Sequence, residues 1–288
     1  MSQALAPVAP RLCWGVRAAM AIFAMLVCFG LAGCARSQVE LKPGTAEAWH
    51  AVSVEGVPAT EYLLQRWGIV LSGAESAMIS ADGKSFDARY GPDAVKRMTS
   101  GSGAAVHVGR GYWLTAAHCV PNDSVHLVRL TPLEPAVLPG RVVWRSRGNG
   151  KSEGSGGEER ERDLALLRVD ASGLRQPIPA IRLSAEPPAS GRVLCLGSGL
   201  ESFAWCGGAV TGVEAASDPD IRVVTHNAPV APGDSGGPAM LESGELAGIN
   251  ILALPWVYGD AKGWALWIRP ERLRRIIDDV EARGEVRR

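Results

Sequence analysis

The 288-residue chain has no net charge: 30 Lys and Arg are matched by 30 Asp and Glu. That balance removes the electrostatic footprint of a protein that binds nucleic acid or an acidic surface, so no nucleic-acid partner is expected. Histidine is scarce, at 5 residues. His50, His107 and His126 show neither metal-ligand spacing nor an HExxH pair, so no metal and no cofactor are expected. A phosphate-binding loop is also missing. Gly148-Asn149-Gly150-Lys151-Ser152 comes nearest, but Arg145 stands where such a loop needs its first glycine, and no parallel-sheet pattern surrounds it. No internal repeat occurs, and the nine tryptophans are scattered in the manner of packing residues.

Long hydrophobic runs are equally few. One uncharged stretch, 18–31, follows Arg11 and Arg17, and its length suits the apolar region of an export signal better than a bilayer span. It runs into Leu31-Ala32-Gly33-Cys34, which resembles the bacterial lipobox. That resemblance implies cleavage before Cys34 and a diacylglyceryl thioether on its sulfur. The expected organisation is then a signal peptide over 1–33, a lipidated tether over 34–60, polar at first and without periodicity, and a folded domain over 61–288. Ala35 follows the cysteine in place of the aspartate typical of inner-membrane retention, so an outer-membrane destination facing the periplasm is expected.

Cysteine is sparse once the leader is set aside. Cys13 and Cys28 leave with the signal and Cys34 carries lipid, so the folded part keeps Cys119, Cys195 and Cys206. Three thiols cannot all pair. Cys195 and Cys206 lie in two strand-like runs joined by the turn-prone Gly197-Ser198-Gly199, and two states stay open: a cross-strand disulfide in an oxidising compartment, or two buried free thiols.

What the chain does have, from Gly101 onward, is many short apolar or alternating runs broken by Gly, Pro, Asn and Asp. They fall at 104–108, 112–115, 125–130, 141–144, 164–169, 193–196, 209–213, 221–225, 246–252 and 263–267. Such a pattern predicts an all-β barrel or sandwich rather than βαβ units. One helix is expected over 270–282, with Pro270 at its start and Leu273, Ile276, Ile277 and Val280 on one face. Residues 147–162, rich in Gly, Ser and charge, read as a surface loop, and 171–190, rich in Pro, Ala and Ser, as a connector between two lobes.

Three segments carry chemistry. Leu114-Thr115-Ala116-Ala117-His118-Cys119 places a histidine at a strand end, and Asp163-Leu164-Ala165-Leu166-Leu167 an acid at a strand start. Gly233-Asp234-Ser235-Gly236-Gly237-Pro238 places a serine in a glycine-dense turn where backbone can approach a ligand. A serine hydroxyl needs a base within hydrogen-bond reach, and the base needs to be held in one tautomer. His118 suits the first role and Asp163 the second, while the amides of Gly233 and Ser235 suit a developing oxyanion.

These motifs resemble those of the trypsin- and chymotrypsin-like serine proteases, with the chain order His, Asp, Ser. The resemblance covers about Gly101 to Trp267 and implies two Greek-key β-barrels, the first over about 61–170 and the second over about 191–268. It also implies a serine endopeptidase with His118, Asp163 and Ser235 as catalytic triad, acting on a polypeptide substrate.

Gly101-Ser102-Gly103, the run Ala228-Pro229-Val230-Ala231-Pro232 and Gly248-Ile249-Asn250 look more like the bacterial HtrA-like proteases. No Ile-Val-Gly-Gly segment is evident to pair with Asp234, which is expected to be held by another group or solvated. Cys119 reads as a free buried thiol. After Trp267 only the helix and a charged tail are expected, without a peptide-binding module.

By the family's pattern Pro229 lies at the base of the primary pocket, which argues against a preference for Arg or Lys. Ile249, Asn250 and Ile251 would form the wall along which a substrate strand pairs, favouring small or medium apolar side chains. His226 reads as a satisfied strand residue, with a pocket role as its rival. Two other functions remain: a non-catalytic binding module retained at the membrane, and a hydrolase of small esters. Nothing in the residue pattern points to an oligomeric state.

Overall fold

The computed structural model describes residues 49, 51–72, 103–129, 136–146, 162–197, 204–230, 233–254 and 262–285. The expected signal, Cys34, nearly all of the 147–162 loop and the 198–203 turn lie outside the described residues.

Two closed antiparallel barrels of six strands each make up the body. The first contains β3 (Trp67–Ser72), β4 (Gly103–Gly109), β5 (Tyr112–Ala116), β6 (Ser124–Arg129), β7 (Ala136–Arg145) and β8 (Leu164–Val169). Its order is β3-β4-β5-β8-β7-β6, closed by pairing of β3 with β6. The second contains β10 (Arg192–Gly197), β11 (Ala204–Ala215), β12 (Ile221–His226), β13 (Pro238–Leu241), β14 (Glu245–Leu254) and β15 (Lys262–Ile268). Its order is β13-β10-β11-β12-β15-β14, closed by β13 against β14, with the two-residue β9 (Arg182–Leu183) added in parallel to β14. The expected all-β double barrel is what the chain forms.

Closure explains why several strands lack clean alternation. All five residues of β5 are buried, because the second barrel covers the face that solvent would otherwise wet. The strands β13 and β14 lie against β4 and β5. β3 was missed by strand counting for the same reason: Trp67-Gly68-Ile69-Val70-Leu71-Ser72 is buried at five of its six positions, and a short continuous apolar run carries no strand period.

Of the segment expected as a tether over 34–60, Trp49 and residues 51–60 are part of the folded body, with Trp49 and Val54 buried, β1 (Ser53–Val54) paired to β2 (Val57–Pro58), and α1 spanning Ala59–Leu64. Val54 packs on Gly244 in the β13–β14 turn, and the guanidinium of Arg192 sits 5.0 Å from the Trp49 ring. Because Glu55 also reaches Arg66, the residue before β3, this segment touches both barrels. The connector around residues 171–190 does so too, with Ile181 N donating to His107 O at 2.8 Å and His107 Nδ1 lying 3.0 Å from Pro179 O. The terminal helix α2 (Pro270–Glu285) buries Leu273, Ile276 and Ile277, each contributing about 1.5–3 kcal/mol. Arg110, in the β4–β5 turn, pairs with Asp278 and Glu281 and ties that helix to the first barrel.

Candidate active site

Strand register creates the first half of the site. β5 pairs antiparallel with β8 so that Ala116 faces Leu164, which makes the residue leaving one strand a neighbour of the residue entering the other. His118 occupies a 3-10 turn, Ala117–Cys119, after β5, and Asp163 immediately precedes β8. Asp163 Oδ2 lies 2.5 Å from His118 Nδ1, and Oδ1 accepts from the His118 backbone N–H at 2.8 Å. Ala117 N also donates to Asp163 O at 3.1 Å. Both carboxylate oxygens and the carbonyl thus fix the histidine turn, and the ring is left with Nε2 directed away from Asp163.

Burial alone pushes the His118 pKa down. The hydrogen bond to Asp163, supported by Cys119 and by the Asp163 charge, outweighs it and raises the value to about 10.

The second half comes from the serine turn. Gly233 adopts a φ of +99° and Gly236 of +80°, which favour glycine. A Cβ on Gly236 would also collide with Ala104 O and Thr115 Oγ1. Ser235 O accepts from Ala104 N at 2.8 Å, and Cys119 Sγ lies 3.6 Å from the same oxygen. Because β4 and β5 pair with Ala105 opposite Thr115, Ala104 stands at the end of the first barrel that carries His118. The turn that bears Ser235 is therefore pinned beside the histidine turn. Gly236 N and Gly237 N donate to Asn250 O and Asp234 O, whereas Ser235 N–H meets no acceptor among the described residues. Nor does Ser235 Oγ bond the His118 ring among them; hydrogen bonds of this kind commonly tighten only when substrate is bound.

Other expected residues fall elsewhere. Asp234 is 1% exposed and its carboxylate lies over Gly197, so it is buried rather than solvated. Ile249 and Ile251 are core residues, and the Asn250 side chain is engaged inside the barrel. Strand β14 turns the Ile249 and Ile251 side chains inward, so it is the main chain of this expected wall that is left to meet a partner strand. Pro229 is half-buried, its carbonyl accepting from Cys206 Sγ at 3.3 Å.

His226 is fully buried, with Nε2 lying 3.0 Å from Asn250 Oδ1, and burial lowers its pKa. Cys195 and Cys206 face each other in the β10–β11 register, yet no disulfide joins them; both thiols are buried, as is that of Cys119. Sequence reasoning missed Ala104, whose amide role is visible only once the barrels meet.

Residues 101–249 match the trypsin-like peptidase domain family. The chain belongs to that family. Among its relatives, the chain is 30% identical over 204 residues to "Protease Do-like 1, chloroplastic" of Arabidopsis thaliana, covering 67% of this chain and 42% of that protein. It is 25% identical over 183 residues to "Putative serine protease HhoB" of Synechocystis sp., covering 61% and 39%. The chain spans less than half the length of these curated relatives. Among solved structures, the serine endoprotease from Yersinia pestis superposes with a TM-score of 0.50 at 17% identity, covering 78% of this chain and 67% of that one. The inactive form of Rv3671c from M. tuberculosis H37Rv gives 0.50 at 18% identity, covering 78% and 91%. These two likenesses carry the fold alone.

Proposed function

We propose that the protein is a serine endopeptidase that cleaves peptide bonds through an acyl-enzyme, with Ser235 as nucleophile, His118 as general base and then acid, and Asp163 as its orienting carboxylate. The observation that carries this reading is the 2.5 Å His118–Asp163 contact at the barrel end where Ala104 and Cys119 hold the Ser235 carbonyl. Ser235 Oγ attacks the scissile carbonyl, its proton passes to His118 Nε2, and Asp163 stabilises the imidazolium that forms. The amides of Gly233 and Ser235 receive the oxyanion; removing one such donor typically raises the barrier by about 3 kcal/mol. Collapse of the tetrahedral intermediate expels the amine, protonated by His118. Water then repeats the sequence on the acyl-enzyme.

The substrate is an extended polypeptide laid along β14. β13 pairs with β14 only as far as Ile249, and among the described residues no strand covers that edge beyond it. An added strand would use main-chain groups from Ile251 onward, with Pro229 at the pocket base disfavouring basic side chains. We extend the proposal to a lipid anchor on Cys34 and an outer-membrane location facing the periplasm, supported by the order of basic, apolar and small residues before that cysteine.

Labelling of Ser235 by a fluorophosphonate, followed by mapping of cut sites in a diverse peptide library, tests the activity. Absence of an adduct on folded protein would refute it. Incorporation of radiolabelled palmitate that is lost in Cys34→Ser tests the anchor.

A further inference from the structure

Outside the His118, Asp163 and Ser235 set, a buried polar cluster centres on Asn250, which is 1% exposed. Its main chain is committed to the serine turn: Asn250 N donates to Gly237 O at 2.8 Å, and Asn250 O accepts from Gly236 N at 2.7 Å. Its side chain reaches across the barrel. Nδ2 donates to Pro238 O at 3.4 Å, which leaves Oδ1 to accept, and Oδ1 faces His226 Nε2 at 3.0 Å. Cys195 Sγ stands 4.0 Å from the same oxygen. One residue thus joins β10, β12 and β13 to the Gly236 N–H and the Gly237 carbonyl that follow Ser235.

His226 is an expensive partner for a purely structural contact. Its ring is completely buried, and Nδ1 has no partner among the described residues. Burial favours the neutral ring, whose single N–H has to sit on Nε2 to serve Asn250, so Nδ1 is a bare acceptor in an apolar setting. Buried polar atoms are rarely left unpaired. Moreover, the chain makes room for this ring: β12 and β15 pair with His226 opposite Gly263, and a Cβ on Gly263 would collide with the imidazole.

We infer that His226 is a positioning residue that acts through Asn250 on the serine turn. By holding Oδ1 it fixes the Asn250 amide, which through Gly236 and Gly237 sets the attitude of Ser235 and keeps the Ser235 N–H turned towards the oxyanion position. This inference rests on the endopeptidase reading above.

The test uses the full chain and a fluorophosphonate probe, with the maximal labelling rate of Ser235 separated from probe affinity. His226→Phe, which keeps ring volume and loses the donor, is expected to lower the maximal rate at least tenfold with affinity and melting temperature nearly unchanged. His226→Gln, which restores an N–H, is expected to recover most of that loss. Equal labelling of His226→Phe and wild type overturns the inference, as does a loss in His226→Gln that matches the Phe variant. If His226→Phe does not fold, Gly263→Ala, which displaces the ring without removing it, carries the same expectation and the same refutation. Failure of the wild-type chain to label overturns the endopeptidase reading itself, and the inference falls with it.

Discussion

Gly236 packs so closely on the carbonyl oxygen of Ala104 that no side chain fits between the two barrels at this point. The contact places the serine turn of one barrel on the strand pair that ends at the histidine of the other. Gly236→Ala adds a methyl to a filled seam at a φ of +80°. Overpacking and left-handed strain together are expected to cost roughly 2–4 kcal/mol, read as a lowered denaturant midpoint. Labelling of Ser235 by a fluorophosphonate is expected to vanish with it. A variant that keeps both stability and labelling would show that the seam opens freely.

Asp163 bonds both the His118 ring and the His118 amide. Asp163→Asn preserves shape but offers an N–H or a neutral oxygen to Nδ1, so the tautomer with Nε2 free to accept loses its support. Peptide hydrolysis is expected to fall by about 10³- to 10⁴-fold in kcat while KM changes little. A drop of less than tenfold would remove Asp163 from the catalytic assignment.

The His118 pKa, raised to about 10, makes opposite demands on stability and activity. A histidine whose folded pKa lies above its ordinary value contributes stability below that ordinary value and loses the contribution as pH rises through the folded one. General-base work needs the neutral ring, so activity grows over the same window. kcat/KM of the unliganded enzyme is expected to climb from neutral pH towards about 10, rather than level off just above pH 7 as an unperturbed histidine would dictate. The melting-temperature gap between wild type and His118→Ala is expected to shrink over that range. A profile flat above pH 7.5 would contradict both.

Much of this was legible in the residues. TAAHC, the aspartate before an apolar strand, and GDSGGP named His118, Asp163 and Ser235, because each role demands a particular side chain beside a particular backbone shape. The strands with alternation were found as well. Elements buried on both faces, such as β3, left no period to read. Asn250 was placed on the substrate wall because its neighbours fit the family pattern, yet the direction of each β14 side chain depends on register, and a bulge between Asn250 and Leu252 alters it. The buried state of Asp234 likewise depends on Gly197, 37 positions away and carrying no side chain to announce it.

Cys195 and Cys206 face each other across β10 and β11 as buried thiols that no disulfide joins. Burial, reinforced by Cys206, pushes the Cys195 thiol well above its ordinary range, so little thiolate exists at neutral pH. Iodoacetamide is therefore expected to leave Cys195 unmodified in the native protein and to alkylate it after unfolding in denaturant without reductant. Recovery of a Cys195–Cys206 linked peptide from a non-reducing digest of native protein would show that the chain is oxidised there instead.

The buried Trp49 helps tie the segment before α1 to the barrels. The indole lies under the Arg192 guanidinium, Val54 fills the space over Gly244, and Glu55 reaches Arg66 and Arg182, so the segment bridges both barrels before α1 starts. A chain trimmed to begin at residue 61 would strip these contacts and expose apolar surface on each barrel. Trp49→Ala alone removes a fully buried aromatic side chain and is expected to cost about 3–5 kcal/mol, while the conservative Trp49→Phe should lose less. Thermal unfolding of the two variants, together with the trimmed chain, checks the argument. If the trimmed chain melted like the full one, residues 49–60 would be a tether resting on the surface, and the barrels would hold together through the serine turn, the connector and α2 alone.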